Sequence, residues 1–527
     1  MAHVNDLMLE APKTNIWIAL RTDLAVGTGT ANDPFDGSTA AKFDALMSGF
    51  SPNTRIHLGP GIFQTNGYAD EVGGGWQAKI GMKIVGSGID VTTLQLAATA
   101  TDAHFYAIGH VLSITTLEYF EVADLTIDCN LANHSGASVA CGAVRVMGNH
   151  ARVRRIKVVN WGTKSSSRPC FVIAVITSDP LSGVTGVTDC GIEESIAITP
   201  GSGNVGPVTL MHAGGSETAA TNVSGFGLRP FIRNCFADAG QTSPFANEIR
   251  GLSMAWCIGG IVEGNQIHNM MYGGPFQQFT SAHGIVVRNN FYKNVNKGPF
   301  FGGLAASQGP GTLTRSGTIA TVTLASHNLL VGDYVLINTS PTSVFEGVVV
   351  TVTRTTSTTF TFNTSANASA ATVSSVKKVF GVSSLILEDN TVELATAISG
   401  ELIGIQAQDW WGTTNPAQDP TFPTYVFGNV LVHDNKIRYV DGAFASNYAG
   451  FGVQINGALD LLVRNNVVEA APLNPVKNYR CGSVKYFNDK TPAGILIRGW
   501  NGDTNQKYDE LETDAEDAFI LGLLKKH

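Results

Sequence analysis

Val-Glu-Gly-Asn-Gln-Ile at residues 262–267 is the stretch from which this chain can be read. The same order, an apolar run, a polar residue, Asn, then strand-forming residues, recurs as Val-Arg-Asn-Asn-Phe at 287–291, Leu-Glu-Asp-Asn-Thr-Val at 387–392, Val-His-Asp-Asn-Lys-Ile at 432–437 and Val-Arg-Asn-Asn-Val-Val at 463–468. The aligned residues are Asn265, Asn290, Asn390, Asn435 and Asn466. Repetition at about 20 to 50 residues marks a solenoid. Asn at a fixed turn is suited to the left-handed backbone region that most residues avoid. Its amide can also bond the Asn of the next coil, so the pattern predicts stacked coils with an amide ladder at one corner.

The spacings locate a second unit. They are 25 residues from Asn265 to Asn290, 45 from Asn390 to Asn435 and 31 from Asn435 to Asn466, and Cys235 stands in the Asn place 30 residues before Asn265. The interval from Asn290 to Asn390 is 100 residues. Its excess falls on residues 311–376, rich in Thr, Ser and Val and almost without charge, which reads as a small antiparallel β domain inserted between coils. The organisation expected is an N-terminal cap over 1–80, β-helix over 81–310, the insertion over 311–378, β-helix over 379–500, and an acidic tail over 501–527. Apolar residues at helical spacing within 38–49 predict a capping helix over the open first edge, and residues 518–524, followed by Lys525, Lys526 and His527, predict a short one in the tail.

Composition narrows the function classes. The 527 residues exceed one ordinary core, and 14% charged with 58 glycines suits short strands and tight turns. A net charge of −8 without a basic cluster gives no footprint for nucleic acid, and no apolar run reaches membrane-spanning length. Residues 1–12 lack the features of a secretory signal, so export by another route, such as in a virion, is one expectation. Seven scattered cysteines without a C-x-x-C pair predict buried thiols rather than a disulfide frame or a metal site.

With the Asn turns, Gly-Met-Lys-Ile-Val-Gly-Ser-Gly at 81–88 and Val-Ala-Asp-Leu-Thr-Ile-Asp-Cys-Asn at 122–130, the chain resembles the pectate-lyase-like right-handed parallel β-helix family, which includes pectin-degrading enzymes and phage tailspikes. The insertion is similar to small β domains of phage structural proteins, notably at 325–333. The resemblance implies an all-β, right-handed parallel β-helix whose coils each offer a first strand to a carbohydrate groove. It also implies a homo-oligomer, a trimer in the tailspike case, and an extracellular or virion-associated location.

Groove strands expected from the positions before each Asn turn are 142–147, 251–257, 402–410 and 451–456. Alternation puts Val144, Val146, Ile405, Ala407, Val453 and Ile455 inward, leaving Arg145, Gln406, Gln408, Gln454 and Asn456 outward as glycan contacts. Asp409, Trp410 and Trp411 add a carboxylate and two stacking surfaces, with core packing of a tryptophan as the alternative. Glycoside hydrolysis needs two carboxyl groups across the bond. Asp124 and Asp128, four apart on a strand, and Glu248 with Arg250, in the expected loop before 251, are the catalytic candidates; the alternatives are turn residues and a surface ion pair. His283 and His433 read as structural. The expectation is a tailspike-like appendage protein that binds polysaccharide, with a lyase or hydrolase of acidic glycans as one alternative and a purely structural subunit as another. No cofactor is called for, except Ca2+ in the lyase case.

Overall fold

The computed structural model describes residues 14–507 except 24, 71–73, 111–116, 178–185, 216–225, 243–244, 278–281, 303–307, 326, 328, 330, 341–342, 346–347, 366–369, 380–381, 396–401, 409–426, 440–449, 470–473, 480, 482, 491–499 and 502–505. The 518–524 helix expected from sequence lies outside these residues. Each coil contributes strands to three parallel sheets, whose strands pair with their counterparts one coil away; short antiparallel pairs, such as Gly162–Thr163 with Ala140 and Cys141, flank them. In the second sheet Ala123, Arg154, Glu193, Arg233, Glu263, Arg288, Glu388, His433 and Arg464 follow one another in register. In the third, Gln266, Phe291, Thr391, Lys436 and Val467 do the same. Parallel strands joined by crossovers take the right-handed sense, and the chain is a right-handed parallel β-helix.

The corner between the second and third sheets explains the repeat. Asn265 Nδ2 donates to Asn290 Oδ1 at 2.8 Å, Asn290 to Asn390 at 2.9 Å, Asn390 to Asn435 at 3.0 Å and Asn435 to Asn466 at 2.9 Å. The same acceptor oxygens take the backbone N–H of the preceding rung at 3.0–3.2 Å. Each Nδ2 also reaches a strand carbonyl, as Asn435 does at Leu387 and Asn466 at Val432. Asp489 closes the ladder by accepting from Asn466 N and Nδ2. Cys235 stands one rung before Asn265 and donates its backbone N–H to Asn265 Oδ1; its buried thiol is pushed up to about 12 by burial.

One expectation needs correcting. The left-handed residue is not the ladder Asn but the one before it: Asn234, Gly264, Asn289, Asp389, Asp434 and Asn465 all have φ between 52° and 67°. That residue turns the backbone, and the turn directs the next side chain into the buried corner, where its amide meets its neighbours along the stack. Gly264 takes this conformation at φ +67°, and an added Cβ would lie 2.3 Å from Asn234 Oδ1. A similar device holds the next corner, where Asn294 Nδ2 donates to Asn269 Oδ1 and Asn269 Nδ2 to Asp238 Oδ1, at left-handed Asn269 and Asn294.

The coil interior is filled by aliphatic side chains such as Val144, Val146, Ile405, Ala407, Val453 and Ile455, all fully buried. At the N-terminal end the helix Ala40–Gly49, capped by Thr39 Oγ1 accepting from Lys42 N, buries Phe43 and Met47 against the first coils. The insertion is a separate seven-stranded antiparallel sheet whose central strands are Ala370–Val379 and Gly311–Ser316. It has its own core, including Leu313, Val322, Ile337, Phe345, Phe360 and Phe362. The strand Val382–Glu388 returns to pair with Ile285–Arg288, so the ladder passes the insertion without losing a rung. The neck is an antiparallel bridge in which Gln308 and Val376 exchange backbone bonds of 2.8 and 2.7 Å.

Two outcomes follow from this construction. Asn435→Ala removes a donor and an acceptor between buried rungs and should cost about 2–4 kcal/mol in urea unfolding, whereas a loss below about 0.5 kcal/mol, typical of a surface site, would count against the ladder. Replacing residues 311–376 by a short Gly/Ser bridge should leave the β-helix folded, because the neck strands lie side by side and closing a short loop costs little; loss of the strand signature in far-UV circular dichroism would show that the insertion is needed for folding.

Candidate functional site

The first sheet is built from His104–Gly109, Ala140–Met147, Cys170–Ile176, Val208–Gly214, Ile249–Ser253, Phe276–Gln277, Phe300–Gly302, Leu402–Gln408, Gly450–Asn456, Asn474–Tyr479 and Trp500–Asn501. None of these strands contains Asp or Glu. The expected strand at 251–257 is displaced to Ile249–Ser253, because left-handed Trp256, φ 50°, already turns the chain. Arg250 therefore belongs to the sheet rather than to the loop before it.

Arg250, Tyr272 and Lys297 are in register on successive coils. Beside them Phe276, Phe300, Gln406 and Gln454 form a second column. The Phe276 and Phe300 rings stack with centroids 4.9 Å apart, and Tyr272 lies 4.4 Å from Phe276. The Arg250 guanidinium sits 4.5 Å from the centre of the Phe276 ring and the Lys297 ammonium 5.3 Å from that of Phe300. Such cation–aromatic contacts hold the charges at fixed height above the sheet. Glu248 Oε1 accepts from Arg250 Nε and Nη2 at 2.9 and 2.7 Å, which fixes the plane of the guanidinium. The Tyr272 hydroxyl is pushed up, first by burial and then by the charge of Glu248.

The lane continues as amides. Lys297 Nζ donates to Gln406 Oε1 at 3.3 Å, and Gln406 Nε2 donates to Gln454 Oε1 at 2.7 Å. Asn456, two residues after Gln454, is buried, and its Oδ1 has no hydrogen-bond partner among the described residues. Gln406 and Gln454 are themselves buried, 1% and 7% exposed, and bonded to each other, whereas Arg250, Tyr272 and Lys297 are half-buried; together they set cations, a phenol and amides side by side, the chemistry that recognises hydroxyl-rich or anionic chains.

Other expected residues lie elsewhere. Arg145 is at the N-terminal end of the sheet, 2.6 Å from Asp70 and over the Tyr106 ring at 5.8 Å. Asp124 and Asp128 do not act as a same-face pair, because left-handed Asp124, φ 58°, breaks the two-residue alternation between them. Asp124 accepts from Arg155 Nε and Nη2 at 2.6 and 2.9 Å, and this pairing holds its carboxyl below the usual range. Asp128 accepts from Gln95 Nε2, Asn130 N and Asn160 Nδ2, tying the following corner. Gln408 ends its strand in register with Gly302, and Asp409, Trp410 and Trp411 lie outside the described residues. Sequence reasoning missed Tyr272, Phe276, Lys297 and Phe300. The available signal was a second repeat, Gly-Pro-Phe at 274–276 and again at 298–300.

No family model matches the chain, and no curated protein matches it in sequence. Solved structures similar to it are parallel β-helices. The A-module of mannuronan C-5 epimerase AlgE4 from Azotobacter vinelandii is 12% identical, with 92% of this chain and 94% of that one covered and a TM-score of 0.36. A double mutant of the tailspike protein of E. coli bacteriophage HK620, in complex with a pentasaccharide, is 10% identical over 89% and 75%, with a TM-score of 0.46. The catalytic domain of a GH87 alpha-1,3-glucanase, in complex with nigerose, is 8% identical over 92% and 67%, with a TM-score of 0.31. These likenesses give no residue correspondence, so the site is described by its own geometry. Among the described residues no helix is long and apolar enough to cross a membrane.

The corner position of Asp124 has a pH consequence. A carboxyl held low in the folded state contributes stability above its unfolded value and loses it as pH falls. Asp124→Asn should therefore cost up to about 1 kcal/mol at neutral pH, the modest range of part-exposed pairs, and progressively less in acid, as pH falls below the ordinary carboxylate range and through the lower value of the folded state. An equal deficit at neutral and acid pH in urea unfolding would contradict the assignment.

Proposed function

We propose that this chain binds polysaccharide along its first sheet and retains it without cleavage, as part of an extracellular or virion-type appendage. The observation that carries the reading is the lining of the lane: Arg250 and three amides on described first-sheet strands that hold no carboxylate, with Tyr272 and Lys297, at the ends of Gln266–Tyr272 and Phe291–Lys297, in register beside them. Two-carboxylate hydrolysis needs acids on opposite sides of the scissile bond. Glu248, beside the sheet, is bound to Arg250. Half-buried Arg250, Tyr272 and Lys297 are proposed as the first contacts with sugar hydroxyls, which offer paired donors and acceptors, and the buried amides Gln406, Gln454 and Asn456 as contacts once the polymer is seated against them. Gln408, Asp409, Trp410 and Trp411, which begin two residues after Gln406 in sequence, are proposed as further contacts, and Arg145 as one at the far end of the sheet. A trimer is the proposed assembly, in which neighbouring grooves would engage one polymer at once and raise avidity.

A second reading, cleavage of an acidic glycan, is favoured by one observation: Glu248, Arg250 and Tyr272 together supply a carboxylate, a cation and a phenol. An elimination would use the Glu248 carboxylate to take the proton alpha to the uronate carboxyl, with the Arg250 cation against that carboxyl, while the beta C–O bond breaks to form the double bond and the Tyr272 phenol gives its proton to the leaving oxygen.

Retention on immobilised bacterial polysaccharides separates these readings from a purely structural role. Under the binding model Arg250→Ala and the double change Gln406→Ala with Gln454→Ala should each weaken retention about tenfold or more, the effect of losing about 1.5–3 kcal/mol of hydrogen bonding. Trp410→Ala with Trp411→Ala should do likewise, and Asp124→Asn should not. Retention unchanged in all the lane variants would move the site elsewhere.

A further inference from the structure

In the second sheet the residue before the left-handed corner alternates in charge along the stack: Arg154, Glu193, Arg233, Glu263, Arg288, Glu388. The alternation is used, since Glu263 lies 2.9 Å from Arg233 and 2.7 Å from Arg288. At the next rung the cation's place is taken by His433. Its Nε2 is 3.0 Å from Glu388 Oε2 and its Nδ1 is 2.6 Å from Asp434 Oδ2, with the imidazole only 11% exposed. A neutral imidazole has one N–H, so one of these contacts would set a nitrogen lone pair against a carboxylate oxygen. The imidazolium supplies a donor to both.

We propose that His433 is a proton-operated clamp between two neighbouring coils, the one that carries Glu388 and Gln406 and the one that carries Asp434 and Gln454. The charged groups around it are Glu388 and Arg288 on the preceding coils, Asp434 beside it, Asp389 at the adjoining corner position, and Arg464 on the following coil. Arg288 reaches Glu388 at 3.8 Å and moderates its charge, and Arg464 disfavours a second cation beside it. With the proton on, both ring nitrogens are satisfied and the coils are tied; with it off, one contact becomes repulsive and the rung loosens. The same coils meet again at the Gln406–Gln454 bond, so the clamp also sets how firmly that amide pair is held. The inference stands on the second sheet alone and does not depend on what the first sheet binds.

Hydrogen exchange at the clamped corner reads this directly, through the backbone N–H of Asp389, which donates to His433 O, and of Asn390, which donates to Asn435 Oδ1. After correction for intrinsic exchange, wild type should show several-fold higher protection there in mildly acidic than in mildly alkaline buffer. His433→Arg, which restores the cation, should keep the high protection in both buffers, and His433→Gln the low protection in both. A wild-type protection that does not change with pH would overturn the clamp. Should a variant fail to fold, nitrogen-15 spectra of the His433 ring in wild type decide: two protonated nitrogens in mild acid support it, and a single one overturns it.

Discussion

A parallel coil must bend three times per turn, and each bend leaves backbone N–H groups facing inward, where an unsatisfied donor costs more than a made bond returns. The rest of this structure depends on the answer found at one corner. A left-handed residue turns the chain, and the following Asn presents one oxygen to the rung before it and one NH2 to the rung after it. Because the bonds run along the stack, each coil fixes the register of the next, and register in turn decides which side chains line each face. The insertion is tolerated for the same reason: Asn290 and Asn390, 100 residues apart in sequence, still bond as adjacent rungs.

Register also explains why the faces differ. On the second sheet it stacks like positions into alternating charges that neutralise one another across coils. On the first sheet it stacks Phe276 on Phe300 and Gln406 on Gln454, so that cations rest on aromatic rings and amides meet amides. The carboxylates Asp124 and Asp128 are drawn to the corners, where they bond Arg155 and the Asn130 and Asn160 turn. A first sheet whose described strands hold no acid, beside corners rich in them, is a consequence of how the coils are held.

The fold was legible because one short pattern serves the backbone and the side chain at once, and it recurs five times. Its geometry was legible only to within a residue: sequence shows that Asn favours left-handed bends, but not that the bend falls on Asn289 or Asp434 and the ladder on its neighbour. The inward aliphatic residues, such as Ile405 and Val453, followed from simple alternation. Alternation failed at Asp124, where a bend interrupts the strand, and at 251–257, where Trp256 turns the chain early. The aromatic part of the lane went unread because Gly-Pro-Phe looks like turn punctuation until register places its two copies face to face.

In the proposed function the first sheet holds a polysaccharide and leaves it intact. The most direct test incubates the protein with acidic and neutral polysaccharides that it retains, with and without Ca2+, and follows polymer length by size-exclusion chromatography with light scattering. The account predicts co-elution of protein and polymer at unchanged chain length. Shortened chains, carrying new reducing ends or unsaturated uronate, would contradict it.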